Sequence, residues 1–445
     1  MDKFADISFD EYVDLETTVF ESIEEIISDN ILKYSNPSFY EKLVDAIFEI
    51  FFEEWLSFDL VTEEDADDIH DMIYCMTEDF FDIFEDEYPK RSYICTTNTI
   101  SPLCSNDILK YTEQIEKIRN YYQPKQRTPE WYEYRHNLIT ASSAHKILGS
   151  TALINSFIYD KCKPFAMHQM NYFTKNARQW GNIYEPLTIK IYENRFHTKV
   201  EDFGCIQHPT YSFLGASPDG INVDPNSDRY GRMIEVKNIY NRDITGIPKE
   251  DYWIQMQIQM ETCDLNECDF IETRFKEYSN ESEFYEDDTR ENKGVILCFI
   301  NKTNHSGDQI KPIYEYIPLD VPLDKDTIDL WINTNRLLHR ETHTLYSTDY
   351  WYLDEFSCIL VKRNRNWFNS VLPKIEETWK IIEVERVVGY EHRAAKKRTQ
   401  TSTLSMPNIY SEKIDNDDKT QVIHNLSVNS ESNVCLIKLD SFTNI

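Results

Sequence analysis

The stretch Arg232–Asn238, with the sequence RMIEVKN, predicts a β-strand that carries two charged side chains. Glu and Lys are both depleted in strands, where β-branched and aromatic residues are favoured. Because alternate residues of a strand face opposite sides, Ile234 and Val236 are expected to face a core. Glu235 and Lys237 then line the other side. Taken alone, an ion pair on a strand face is the simpler interpretation of this pattern.

A second carboxylate upstream changes this interpretation. The sequence FLGASPDG places Asp219 in a turn after a strand, although Pro-Asp-Gly by itself is only a good turn former. A hairpin from Asp219 to Glu235 would bring two carboxylates side by side, where they repel unless a cation joins them. Carboxylate oxygens suit Mg²⁺. Lys237 could orient or help deprotonate a metal-bound water, or stabilise charge on a scissile phosphate.

With these residues the chain resembles the PD-(D/E)xK nucleases, and more specifically the YqaJ-type viral recombinase exonucleases, the lambda exonuclease-like family. The resemblance extends over five blocks in the order of the family, spanning about residues 125–275. They are EWYEYRHNLITASSAHKIL (130–148), QWGNIYEP (179–186), GASPDG (215–220), IEVKN (234–238) and YWIQMQIQM (252–260). Five ordered blocks are far more specific than any one of them.

The resemblance implies a metal site built on the hairpin. Asp219 and Glu235 would be metal ligands together with the carbonyl of Val236, and Lys237 would position the attacking water. Glu185 would add a carboxylate near a second metal ion. The implied cofactor is Mg²⁺, with Mn²⁺ as an alternative, bound as two ions.

A glutamine follows in the last block. The resemblance implies that Gln255 holds the attacking water or the lysine. The run Gln-Met-Gln-Ile-Gln fits both strand alternation and an amphipathic helix, so Gln257 and Gln259 receive no role. Glu185, without its Trp-Gly context, would be interpreted as an exposed acid of a helix.

Two residues of the first block point to recognition of a DNA end. The resemblance implies that Arg135 and Ser142 bind the 5′-phosphate of the degraded strand. Arg offers a planar fork that matches phosphate, and the free N–H groups of a helix start attract anions. The alternative for Ser142 is an N-cap, the usual role of Ser at a helix start.

The pattern of elements predicts an α/β fold with a PD-(D/E)xK, restriction-endonuclease-like core, in which helices flank a mixed central sheet. We expect five segments: an acidic helical domain (1–100), a linker (101–124), the nuclease core (125–290), its C-terminal extension (291–398) and a polar, disordered tail (399–445). Helices are predicted over 131–149, 177–197, 249–262, 326–345 and 366–382, and strands over 203–207, 211–216, 232–240, 268–275 and within 294–320. Near the N-terminus, Ser8-x-x-Glu11 and Ser38-x-x-Glu41 predict capping boxes, and a third helix is expected over 69–84.

Charge is distributed unevenly along the 445 residues, whose formal net charge is −32. Residues 1–100 carry 28 acidic against 5 basic side chains, whereas residues 121–280 carry 20 against 18. The acidic total therefore does not exclude a nucleic-acid substrate for the central part. The ten cysteines include no Cys-x-x-Cys pair, and neither a signal peptide nor a membrane span is predicted. We expect an intracellular protein, in the host cytoplasm or nucleus if it is viral.

The sequence thus predicts a Mg²⁺-dependent DNA exonuclease that acts on double-stranded ends with 5′→3′ polarity, in recombination, repair or genome processing. Two alternatives remain open. The first is an endonuclease or RNase of the same fold, and the second is a non-catalytic scaffold that binds DNA ends. The resemblance also implies two further partners, a single-strand-annealing recombinase and other copies of the chain in a trimer. The long flanking segments put the trimer in doubt.

Overall fold

The computed structural model describes residues 8–94, 104–166, 176–302 and 312–395, all within one compact unit, Met1–Ala395. The predicted tail 399–445 lies outside the described residues. The helices are α1 Phe9–Asp29, α2 Phe39–Ser57, α3 Ala66–Ile83, α4 Ser105–Asn120, α5 Pro129–His136, α6 Ala141–Leu148, α7 Thr151–Cys162, α8 Ala177–Phe196, α9 Glu250–Cys263, α10 Glu281–Glu286, α11 Lys325–His339 and α12 Arg365–Val388. The strands are β1 Tyr93–Ile94, β2 Ile139–Thr140, β3 Val200–Glu201, β4 Ile206–Gln207, β5 Leu214–Ala216, β6 Gly220–Asn222, β7 Met233–Asn238, β8 Glu267–Glu277, β9 Lys293–Asn301, β10 Ile313–Tyr316 and β11 His343–Lys362.

The expected α/β architecture with a mixed central sheet is confirmed. The larger sheet has the order β10-β9-β11-β8-β7-β6-β3, and β1 adds to β11. Its neighbours are antiparallel except for β7 and β8, which are parallel. A small second sheet has the order β2-β5-β4. The strands β9, β10 and β11 extend the same sheet, so the segment after residue 290 continues the core in space.

Strand β7, which carries Glu235 and Lys237, lies between β6 and β8 in the larger sheet. Strand β7 forms an antiparallel hairpin with β6, in which Gly220 lies opposite Ile234. Two parallel strands cannot be joined by a tight turn, so the chain must cross over before it returns as β8. Helix α9 provides this crossover and covers the sheet with an almost continuously buried face. The hairpin and the crossover together determine which side chains can meet beside β7.

Most predicted elements are confirmed within a few residues, and the differences are informative. The helix predicted over 131–149 is two helices, α5 and α6, separated by β2, whose Ile139 and Thr140 pair in parallel with β5. Strand β11, with 20 residues, was not predicted, and the helix predicted over 326–345 is too long, because α11 ends at His339 and residues 343–345 belong to β11. Its sequence is interrupted by polar residues because its burial is only intermediate along most of its length.

The N-terminal segment is helical as predicted, and α3 coincides with the predicted third helix. The capping box of Ser8 and Glu11 is present at the start of α1. The one predicted for Ser38 is wrong, because the side chain of Ser38 caps no backbone N–H group at the start of α2. Buried side chains of these helices, such as Ile23 and Phe80, belong to the same apolar core as Trp253 of α9 and Trp367 of α12.

Polar contacts attach the N-terminal helices to the start of α9. The indole N–H of Trp253 donates to the carbonyl of Arg91 at 2.9 Å. Arg91 in turn donates to the carbonyls of Ser35 and Pro248, at 3.0 and 2.6 Å from its Nη2. The hydroxyl of Ser35 donates to Glu250 at 2.8 Å. The acidic segment is therefore packed against the beginning of the crossover helix.

A buried charge cluster attaches β7 to β8. Asp269 on β8 is fully buried and accepts hydrogen bonds from Arg229, from Arg232 at 3.1 Å and from the hydroxyl of Tyr192 at 2.6 Å. Arg232 directly precedes β7, and Asp269 pairs in register with Ile234. Each buried charge is compensated only while the others stay in place.

None of the described helices combines the length and the apolar content that crossing a membrane requires.

Replacing Asp269 by Asn should leave the buried guanidinium of Arg229 without its carboxylate and should remove one of the two carboxylates that pair with Arg232, the other being Glu267. We expect the free energy of unfolding, measured by urea titration, to fall by about 3–5 kcal/mol. The matched control is Asp228→Asn, an exposed carboxylate beside Arg229, for which a change within about 0.5 kcal/mol is expected. A loss for Asp269→Asn as small as that of the control would contradict the anchoring role of the cluster.

Candidate active site

Strand β7 places Glu235 and Lys237 on one side, as predicted from the alternation. Ile234 and Val236 pack into an apolar cluster with Tyr192 and Ile271 on the opposite side. Glu235 is only 1% exposed, and the ammonium of Lys237 donates to its Oε1 at 2.5 Å. Burial opposes protonation of Lys237, but the carboxylates of Glu235 and Asp219 outweigh it and raise the pKa of Lys237.

The hairpin brings Asp219 beside Glu235. Asp219 directly precedes β6, and its Oδ2 accepts the backbone N–H of Val236 at 2.8 Å. This hydrogen bond holds the carboxylate at the middle of β7. Burial and the nearby charges of Glu235 and Glu185 raise the pKa of Asp219 well above its usual value.

Helix α9 contributes two glutamines to Glu235. The amide of Gln255 donates to Glu235 Oε1 at 2.8 Å, and the amide of Gln259 donates to Oε2 at 2.8 Å. Residues four apart lie on the same face of a helix, so both amides reach the same carboxylate. Gln257, between them, instead donates to the carbonyl of Lys362 and accepts from the N–H of Asn364. The glutamine run is therefore helical.

Glu185 reaches the same pocket from α8. The neighbouring Tyr184 stacks on Phe275 of β8 with ring centroids 4.7 Å apart, which holds the helix against the sheet. Both oxygens of Glu185 accept hydrogen bonds from Nη2 of Arg127, at 2.6 and 2.7 Å. Arg127 has a left-handed backbone, with φ of 63°, directly before the N-cap Thr128 of α5. Burial raises the pKa of Glu185, although Arg127 acts against it.

The carboxylates share one pocket of about 340 Å³, which Asp219, Glu235 and Glu185 line together with Val236. Within the described ranges, no group of three or more His, Cys, Asp or Glu side chains is arranged so that it could hold a metal ion, and Glu185 is instead bound by Arg127. The donor set nevertheless suits Mg²⁺, because it consists of oxygen ligands whose mutual repulsion a divalent cation relieves. Gln259 lines this pocket, and its buried Oε1 accepts no hydrogen bond from the described residues.

The other end of the pocket is basic. Arg135 of α5 donates to the hydroxyls of Ser142 at 2.9 Å and Ser217 at 3.2 Å. Its guanidinium lies 4.2 Å from the ring centroid of Trp131, and Trp131 also donates to Ser217. Among the described residues Arg135 has no carboxylate partner, so its remaining donors can bind an anion. Burial lowers the pKa of Arg135.

Ser142 is not the N-cap of α6. The cap residue is Thr140, and Ser142 is the second residue of the helix, with an exposed side chain. The alternative of a purely capping role for Ser142 is therefore wrong. A role in binding phosphate stays a prediction.

All eight residues that the sequence singled out line this pocket: Glu185, Asp219, Glu235, Val236, Lys237, Gln255, Arg135 and Ser142. Sequence reasoning missed Arg127, Ser217 and Gln259. Two of them had a usable signal, because Ser217 lies two residues before Asp219 and Gln259 lies four after Gln255. Arg127 had none, since its position depends on an unusual backbone conformation.

Residues 130–266 match the family model of the YqaJ-like viral recombinase domain. A curated relative, an uncharacterized protein of Acanthamoeba polyphaga mimivirus, is 24% identical over 329 residues, which cover 66% of this chain and 57% of the mimivirus protein. The chain thus matches little more than half the length of that relative.

Two solved structures show weaker similarity. The first is the alkaline exonuclease from Laribacter hongkongensis in complex with dAMP, with 19% identity, a TM-score of 0.35, and coverage of 58% of this chain and 94% of that one. The second is a phage-related exonuclease from Haemophilus somnus, with 14% identity, a TM-score of 0.30, and coverage of 59% and 95%. Neither TM-score is high enough to support a conclusion about activity. The resemblance to the YqaJ-type viral recombinase family, predicted from five sequence blocks, is confirmed by the match over residues 130–266.

Proposed function

We propose that this chain is a divalent-metal-dependent deoxyribonuclease that degrades double-stranded DNA from its ends, in the 5′→3′ direction, during recombination, repair or genome processing. The observation that supports this most is the composition of one pocket. It combines adjacent carboxylates, Asp219 and Glu235, and the ammonium of Lys237 with the phosphate-type donors Arg135 and Ser142. The match to the YqaJ-like viral recombinase domain covers the same residues.

The proposed metal ligands are Asp219, Glu235 and the carbonyl of Val236, with Glu185 near a second ion. Mg²⁺, or Mn²⁺ in its place, would supply Lewis-acid activation of water and of the scissile phosphodiester. The protein supplies the orientation. Gln255 and Gln259 together donate to both oxygens of Glu235, which keeps this carboxylate from rotating away from Asp219.

Lys237 is proposed to orient the attacking water and to stabilise the negative charge that develops on the phosphate. Its ammonium lies within hydrogen-bond distance of Glu235 and 4.7 Å from the ring centroid of Tyr252. These contacts hold the amine at the carboxylate end of the pocket. A fixed positive charge there stabilises the transition state more than the ground state, because negative charge builds up on the phosphoryl oxygens and on the leaving 3′-oxygen during the reaction.

Arg135 and Ser142 are proposed to bind the 5′-phosphate of the strand being degraded. The planar guanidinium is held by two hydroxyls and the face of Trp131, so its donor geometry is set before a ligand arrives. Arg can bind phosphate through two parallel hydrogen bonds, which Lys cannot reproduce. A phosphate bound here would place the terminal nucleotide beside the carboxylates, as expected for an exonuclease.

Asp219→Asn and Lys237→Met should each slow Mg²⁺-dependent degradation of linear duplex DNA by at least about a hundredfold, because each removes a charge that acts on the reacting groups. DNA binding, measured separately in EDTA, should remain. The control is Lys199→Met, a lysine whose side chain is 71% exposed. Near-normal cleavage by either site variant would contradict the assignment. Cleavage of closed circles or RNA by the unmodified protein would favour the endonuclease or RNase alternative.

Arg135→Lys should lower the preference for 5′-phosphorylated over 5′-hydroxyl ends by about tenfold, since the charge remains but the bidentate geometry is lost. The measurement is the ratio of initial degradation rates on two duplexes that differ only in the 5′ group. Arg195→Lys, at an exposed arginine of α8, is the matched control. An unchanged ratio for Arg135→Lys would remove the proposed phosphate contact.

Arg127→Ala should strengthen Mn²⁺ binding in the absence of DNA by about tenfold, because Arg127 and a metal ion compete for both oxygens of Glu185. Calorimetric titration measures this without any need for activity. Arg119→Ala, which breaks an exposed pair with Glu201, should leave Mn²⁺ affinity unchanged. Equal or weaker affinity for Arg127→Ala would show that Glu185 is not a metal ligand.

A further inference from the structure

A second cavity adjoins the active-site pocket at its basic end. Its volume is about 820 Å³, against about 340 Å³ for the pocket that contains the carboxylates. The two share the lining residues Arg127, Tyr132, Arg135, Ser142 and Arg178. A larger cavity therefore adjoins the active-site pocket on the side of Arg135, away from the carboxylates.

The described lining of this second cavity is strongly basic. Beyond the shared arginines it contains Lys146, Lys161 and Lys163, and its one carboxylate is Asp160. Asp160 pairs with Lys163 at 3.2 Å. Lys146 and Lys161 pair with no carboxylate in the described parts of the chain. A concave surface with several uncompensated cations favours a ligand with more than one negative charge.

Lys161 is held inside this cavity by neighbouring elements. It lies in the last turn of α7, and its ammonium donates to the carbonyl of Arg135 at 2.8 Å. Its own carbonyl accepts two hydrogen bonds from Arg386 of α12, at 2.8 and 3.0 Å. Burial, Arg135, Arg386 and, to a lesser extent, Lys146 lower the pKa of Lys161 to about 7. An anion bound beside Lys161 would offset the unfavourable free energy of keeping its protonated amine buried near other cations.

Aromatic side chains lie among the cations. Tyr132 contacts Trp131 with ring centroids 4.8 Å apart, and Phe165, which is 37% exposed, lies against His136. Tyr132 and Phe165 both line the cavity. Positive charge along a groove combined with exposed aromatic faces is the arrangement that binds single-stranded nucleic acid, since phosphates pair with the cations and bases stack on the rings.

We propose that this cavity binds the single-stranded 5′ extension of a DNA end, so that the strand runs from Lys161 past Arg135 to the carboxylates. This rests on the proposed nuclease function and specifies its substrate. On such an extended end Arg135 contacts an internal phosphodiester, whereas on a blunt end it binds the terminal 5′-phosphate. Hydrolysis adds water to the phosphorus and breaks its bond to the 3′-oxygen, which takes up a proton. The released oligonucleotide ends in a 3′-hydroxyl, and the remaining strand begins with a 5′-phosphate.

The binding test compares two duplexes in EDTA by fluorescence anisotropy, one blunt and 5′-phosphorylated, the other with a 5′ extension of thymidines. The unmodified protein should bind the extended duplex more tightly. Lys161→Met and Lys146→Met should each reduce this preference by about tenfold, the worth of one charge-assisted hydrogen bond. Lys117→Met, at an exposed lysine of α4, is the control. Lys146→Met is not expected to disturb folding, because the amine of Lys146 bonds to no described group. It therefore tests the proposal even if Lys161→Met misfolds.

Equal affinity of the unmodified protein for both duplexes would overturn the proposal, and so would an equal loss on both in the two variants. Product length gives a second measurement. With Mg²⁺, the extended duplex should release oligonucleotides, whereas release of mononucleotides alone would overturn the proposal. If the protein cleaves no DNA at all, the proposed nuclease function fails, while the comparison in EDTA still tests the cavity.

Discussion

Glu235 is a carboxylate that is 1% exposed, and the site depends on compensating this buried charge. An ionised carboxylate is costly to bury unless it is paired and hydrogen-bonded. Three donors compensate it, from Lys237 on the same strand and from Gln255 and Gln259 on α9. Because these donors come from two elements, the distance between β7 and α9 determines whether all three of them can reach the carboxylate of Glu235.

The topology of the sheet explains why β7 and α9 lie close enough to place all three donors at Glu235. The parallel pairing of β7 and β8 requires a crossover, and α9 is that crossover, so the helix that connects the strands also covers Glu235. The buried pair of Asp269 with Arg232 holds the start of β7 against β8.

Trp253 and Arg91 link the beginning of α9 to the N-terminal helices. No described residue between 8 and 94 lines the active-site pocket. The described residues of the acidic segment therefore contact the site through α9 and do not line the pocket.

Sequence reasoning was most reliable where the chemistry depended on local periodicity. The alternation of β7 predicted the shared face of Glu235 and Lys237, and a short hairpin brought Asp219 to them with no long-range information. It was weaker where pairing partners are distant. Strand β11 pairs with β8 and β9 and has a mixed polar pattern, so nothing within it distinguished a long strand from irregular chain. The break between α5 and α6 depends on pairing with β5, more than seventy residues later. Arg127 reaches Glu185 only through a left-handed backbone that its sequence does not signal.

Charge separation across two adjoining cavities links the proposed chemistry to the proposed substrate. Carboxylates at β7 form one end, Arg135 and Ser142 lie between, and Lys146 and Lys161 form the far end. A phosphodiester chain bound across these cavities would meet most of the cations at a distance from the carboxylates. Beside the carboxylates only a few donors are available to its phosphates. Binding energy from the remote phosphates can then hold the scissile phosphate near like charges that would otherwise repel it. The net charge of −32 does not oppose this arrangement. At physiological ionic strength, charges beyond about 8 Å are largely screened, so the local cations determine what the cavity attracts.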